Sequence, residues 1–189
     1  MAPRARAAAA PRSLMVKRVP TGSWRAETLP GATGELAAVW GSSGSDVWAV
    51  GAGFGIVHFD GNAWRTGPAA PDGATADLLA VGGSGRGDVY FVGRGGLVAH
   101  LGADGTLATQ PSPKPFDLYA VWASGPEDIY AVGDYGLILH STGDGTWSVQ
   151  ESGTRDSLSP ACMRRTLRAW WASEPRNARP RGSQFSGAT

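Results

Sequence analysis

Residues 36–64 read LAAVWGSSGSDVWAVGAGFGIVHFDGNAW, and the chain writes this stretch twice more. Residues 78–107 read LLAVGGSGRGDVYFVGRGGLVAHLGADGTL, and residues 118–147 read LYAVWASGPEDIYAVGDYGLILHSTGDGTW. Landmarks recur in register. Ala38-Val39 matches Ala80-Val81 and Ala120-Val121; Asp46 matches Asp88 and Asp128; Gly51 matches Gly93 and Gly133. His58, His100 and His140 also match, which uses all 3 histidines. The aspartate steps are 42 and 40 residues. Weaker echoes flank the units: Trp24 lies 40 residues before Trp64, and residues 167–173 (LRAWWAS) resemble residues 118–124.

Each unit predicts four short strands, in the first one 36–41, 46–51, 55–60 and 64–66. The runs are β-branched and aromatic. They are separated by Ser-Gly-Ser, Gly-x-Gly and Asp-Gly, residues that accept the positive φ of tight turns. A four-stranded sheet of this size exposes two faces and holds little core. Stacking such sheets around an axis buries both faces, and a period of about 40–45 residues with four strands per repeat is that of propeller blades. A β-sandwich of about twelve strands has the same strand density, but not a repeat with matched landmarks. The expected fold is therefore all-β, a partial β-propeller of three blades with edge strands (units 36–66, 78–109 and 118–149) and irregular basic termini. Small residues at Ala38, Ala80 and Ala120 suit close approach of blades.

Composition agrees. The chain has 189 residues, 42% hydrophobic, with 28 glycines and 8 tryptophans. Its net charge of +1 averages unlike parts: residues 1–25 carry six basic and no acidic groups, residues 26–154 four basic and fourteen acidic, residues 155–189 seven basic and two acidic. An acidic folded part is the wrong sign for nucleic acid, which needs cations on the folded surface. The organisation expected is a disordered basic segment over 1–19, blades over 20–153, and a degenerate or disordered tail over 154–189. No apolar run is long enough for a spanning helix. Residues 1–20 make a poor export signal, because Pro11 and Arg12 interrupt the apolar stretch. After Ser173 the repeat gives way to EPRNARPRG, the pattern a reading-frame shift or a decayed terminal repeat leaves. Three units make an open wedge, whose bare faces and edges invite self-association.

The repeats VWGSSGSDVWAVGAGFGIVHFDGNAW, DVYFVGRGGLVAHLGADGTL and VWASGPEDIYAVGDYGLILHSTGDGTW resemble those of bacterial β-propellers of the sialidase-like, or neuraminidase-repeat, superfamily, photosystem II assembly-factor-like propellers among them. The resemblance covers about residues 20–153. It implies a propeller in an extracellular or envelope setting and no defined activity. Residues 141–147 (STGDGTW) approach the Asp-box hairpin of that superfamily with spacing one residue short, and Asp60 and Asp104 head weaker versions. Such a carboxylate holds its own turn.

A sialidase requires converging arginines, and the acidic part offers only Arg65, Arg86 and Arg94 with Lys114 as basic groups. No catalytic residue, cofactor or metal site is assigned. The three histidines sit in third strands, roughly 10 Å or more from an axis at about 4.8 Å per strand; they are read as blade-internal, bonded to backbone or to a turn aspartate, rather than as zinc ligands. Asp46, Asp88 and Asp128 are turn-capping carboxylates or an acidic, ligand-facing ring, and Trp48, Tyr90 and Tyr130 inter-blade packing or a grip on a ligand. The glycine-rich turns join strand to strand and receive no phosphate. Cys162 stands beside Arg164 and Arg165 without a histidine near in sequence. The function expected is a non-enzymatic scaffold binding a protein or glycan partner; a sialidase-like glycosidase, or a non-functional piece of a larger propeller, is the alternative.

Overall fold

The period-2 runs around DVWAVG do pair as strands in the structure, a computed structural model that describes residues 14–18, 24–30 and 34–158. Strands β3 (Leu36–Ser43), β4 (Asp46–Gly51), β5 (Gly55–Phe59) and β6 (Trp64–Thr66) form one antiparallel meander in chain order. β7 (Leu78–Gly85), β8 (Asp88–Gly93), β9 (Val98–Leu101) and β10 (Leu107–Gln110) form the second, and β11 (Leu118–Gly125), β12 (Asp128–Gly133), β13 (Ile138–Ser141) and β14 (Ser148–Gln150) the third. These are three propeller blades. They stack through their inner strands, β3 beside β7 and β7 beside β11.

Two bulges recur in every inner strand. The register slips between Leu36 and Ala38, Leu78 and Ala80, Leu118 and Ala120, leaving Ala37, Leu79 and Tyr119 as extra residues. It slips again between Gly41 and Ser43, Gly83 and Gly85, Ala123 and Gly125, with Ser42, Ser84 and Ser124 as extras. A bulge bends its strand and re-aims one side chain.

The core lies between blades. Trp48, Val50 and Ile56 of the first meet Leu78, Val81, Val89 and Phe91 of the second. Ala80, Tyr90, Val92 and Val98 of the second meet Leu118, Val121, Ile129 and Leu139 of the third. Each Val, Leu, Ile or Phe among them, fully buried, contributes about 1.5–3 kcal/mol. The outward faces of the end blades are not bare. Ala49 and Val57 are buried with Leu29 against them, and Ala120, Tyr130 and Val132 with Leu158.

Strands β1 (Leu14–Arg18) and β2 (Trp24–Thr28) pair antiparallel. Arg18 opposes Trp24 and Lys17 opposes Arg25, the register in which Phe59 opposes Trp64 and His58 opposes Arg65. They thus repeat the two outer strands of a blade. Leu14–Arg18 lies within the segment 1–19 expected to be disordered and, paired with Trp24–Thr28, is the one part of that segment the structure describes. Beyond the third blade, Leu158 donates its N–H to the Gly133 carbonyl at 2.9 Å, 40 residues after Leu118. The echo at 167–173 and Cys162 lie outside the described residues. Among the described residues no helix is long and apolar enough to cross a membrane.

Candidate functional site

Every blade carries the same polar network at the end where its first two strands turn. The bulged serine lies four residues before the aspartate that opens the second strand. Ser42, Ser84 and Ser124 each donate a hydroxyl to Oδ2 of Asp46, Asp88 and Asp128. The other carboxylate oxygen faces the third strand, where Nε2 of His58, His100 and His140 lies 2.7, 2.8 and 3.1 Å away. An ionised carboxylate only accepts, so Nε2 carries the proton. Each imidazole lies flat on the second-strand aromatic: His58 on Trp48 at 3.9 Å, His100 on Tyr90 at 4.2 Å, His140 on Tyr130 at 4.5 Å between centroids. The pairing is a register effect, since Trp48, Tyr90 and Tyr130 sit directly opposite those histidines.

This network absorbs all six residues singled out from the sequence. Asp46 is 2% exposed. Burial pushes its carboxyl up, but the Ser42 hydroxyl and the His58 ring outweigh that and hold it below the usual carboxylate range. The three rings are buried, Trp48 edge-on to Phe91 at 5.8 Å and Tyr90 edge-on to Trp147 at 6.0 Å, so two of them reach across a blade boundary. Burial pushes the Tyr90 phenol up to about 12, helped by the Asp88 charge. Two of their polar atoms, Trp48 Nε1 and the Tyr90 hydroxyl, are buried without a hydrogen-bond partner among the described residues. Among the described residues no three of His, Cys, Asp or Glu converge as metal ligands.

The Asp-box-like residues hold turns. Asp144 accepts from the Thr146 N–H and hydroxyl at 2.9 and 2.7 Å, and Asp104 from those of Thr106, both at 2.9 Å. Asp60 accepts from the N–H groups of Asn62 and Ala63 and from Arg65.

The opposite end of each blade, where the second strand turns into the third, bears a second set of contacts that the sequence reading did not single out. There a short 3-10 turn meets the residue preceding the next inner strand. Asp77 accepts the Gly53 N–H at 2.8 Å, and Asp117 the Gly95 N–H at 2.8 Å. Arg94 ties the two boundaries together, reaching Asp77 at 3.2 Å and Asp117 at 3.0 Å. In the third blade the chemistry inverts: Asp134 accepts the Ser157 hydroxyl at 2.6 Å and the Tyr119 hydroxyl at 3.1 Å. The recurrence of an acid before each Leu (Glu35, Asp77, Asp117) was visible in the sequence. Its partner across a blade boundary was not, because that pairing is set by stacking.

Three stacked, antiparallel four-stranded sheets define the class: a partial β-propeller. Solved structures of that fold are similar. A YCF48 structure with bound D1 peptide shares 20% identity at a TM-score of 0.59, over 73% of this chain and 48% of that one. Virginiamycin B lyase from Staphylococcus aureus shares 15% at 0.58, over 73% and 48%. YCF48 from Cyanidioschyzon merolae shares 21% at 0.53, over 63% and 40%. At such identities the likeness is one of fold, and the chain spans less than half the length of each. No protein-family model and no curated protein matches the chain.

Proposed function

We propose that the chain is a non-enzymatic propeller module that holds a polypeptide partner on its blade-boundary turns, in an extracellular or envelope setting. One observation carries the reading. The end bearing the Ser–Asp–His–aromatic network is the same in three blades, as a scaffold requires, whereas the boundary turns read AGF, RGG and DYG. Residues held constant serve the fold; those free to differ are where a partner can be specified. A peptide-bound propeller among the similar structures supports a polypeptide partner. The setting is supported by the resemblance of the repeats alone. The matched part of the chain covers 48% of each of two structural neighbours, which leaves room for a larger propeller of which this is a piece.

The test is a peptide array screened with the full chain, alongside hydrolysis assays on fluorogenic glycosides including a sialoside. Saturable peptide binding with no turnover supports the proposal. Turnover above background, lost on substitution of Arg86 or Arg94, overturns it.

A further inference from the structure

The repeats act as internal controls. Two residues before the inner strand the blades carry Gly34, Ala76 and Phe116. At the bulged second position they carry Ala37, Leu79 and Tyr119, and at the middle of the boundary turn Gly53, Gly95 and Tyr135. The first two blades, with small or aliphatic residues at all three positions, build the same sheet. The aromatics of the third blade are therefore not demanded by blade geometry, yet all three collect at one corner. Phe116 and Tyr135 lie 4.8 Å apart between centroids, and the Tyr119 hydroxyl bonds Asp134, the neighbour of Tyr135.

Tyr135 adds a second observation. Its φ is 55°, matching 62° at Gly53 and 66° at Gly95, a left-handed conformation that costs a side-chain-bearing residue and suits glycine. It is also 66% exposed, among the most exposed large apolar residues described. A strained backbone that displays a ring to solvent does not stabilise the fold; it is explained by what the ring meets.

The charge beside it selects the ligand. Asp77 and Asp117 pair with Arg94 while Asp134 accepts from the Tyr119 and Ser157 hydroxyls, so that even counting Lys114 with Arg94 a carboxylate is left in excess. Residues 26–154 as a whole carry fourteen acidic and four basic groups. An aromatic face in a negative field attracts a cation.

We propose that the Phe116–Tyr119–Tyr135 corner seats an arginine or lysine side chain of an extended segment of a partner polypeptide, stacked on the Tyr135 ring. The proposal rests on the binding reading above and names the chemistry of its partner.

Fluorescence anisotropy of the full chain with a labelled nine-residue arginine–glycine peptide, beside its citrulline counterpart, tests it. The arginine peptide is expected to bind saturably, and the neutral counterpart about tenfold more weakly. Tyr135→Gly is expected to weaken binding about tenfold while leaving Tm unchanged or raised, so that misfolding does not explain the loss. Tyr135→Phe keeps the π face and binding within about threefold; Tyr135→Leu keeps the bulk and loses binding. Equal affinity for the citrulline peptide, retention by Tyr135→Gly or Tyr135→Leu, or preference for a neutral oligosaccharide at this corner overturns the proposal. If other peptides bind indifferently to Tyr135, this seat is wrong and the scaffold reading stands. Glycoside turnover overturns the scaffold reading itself.

Discussion

Asp46, Asp88 and Asp128 have the same partners but different shelter. Their side chains are 3%, 19% and 34% exposed, and the histidine distance lengthens in the same order. Removing a carboxylate leaves a serine hydroxyl and an imidazole N–H without an acceptor, at a cost set by how far water can replace it. Asp46→Ala should destabilise by about 2–4 kcal/mol, Asp88→Ala by less and Asp128→Ala least, in urea unfolding. The reverse order would show that the network does not act as a buried staple. Tyr90 is the opposite case. Its hydroxyl is buried and unpartnered, so Tyr90→Phe removes a desolvated dipole and leaves the ring on His100. Stability should be unchanged or rise by up to about 2 kcal/mol, and the phenolate absorbance titrating near 12 should disappear. Loss of more than about 1 kcal/mol would mean a partner for that hydroxyl exists. Much of this was legible in the sequence. The aspartate and histidine recur twelve residues apart in every unit, and period-2 alternation puts the aromatic on the histidine's face. The serines recur too, but nothing in spacing alone says that a bulge turns them toward the aspartate.

Strands and turns show where the repeat is under pressure from its neighbours. Inner strands carry Trp40 and Trp122 at the position where the middle blade has Gly82. A Cβ built on Gly82 lies 2.7 Å from the Val121 carbonyl oxygen, so the middle blade needs glycine for approach of the next strand. Gly82→Ala should destabilise by about 1–3 kcal/mol, the cost of overpacking, as a lowered urea midpoint with unchanged slope. A neutral outcome would mean that the blades stack more loosely than the contacts between β7 and β11 imply. Sequence reading found the blades because turn residues and β-branched runs alternate at short range. Over Leu14–Arg18 the six cations in the first 25 residues read as a solvated tail. What stands against them is the ladder with Trp24–Thr28, a pairing that charge composition does not reveal.

At the scale of the whole molecule the carboxylates act together. The Asp60, Asp104 and Asp144 carboxyls are held below the usual carboxylate range chiefly by backbone N–H groups of their own turns, one turn in each blade, and Asp77 likewise by the Gly53 N–H. Asp46 is lowered by Ser42 and His58 against its burial. Unfolded, each regains a value near 3.8 and takes up a proton that the folded chain refuses. Their stabilisation is therefore complete above that value and is lost as pH falls through the lower folded values. Tm should decline from about pH 4 toward pH 2, with the steepness reporting several protons taken up on unfolding. Because the groups are spread over the blades, no single Asp→Asn change should abolish the decline. The triple variant Asp60→Asn, Asp104→Asn, Asp144→Asn, which keeps side-chain acceptors in the turns, should flatten it. A melting temperature indifferent to pH in that window, or a decline removed by one substitution, would mean that acid sensitivity sits at one site, and the turns of the three blades would not be the shared source of stability that their repeated geometry indicates.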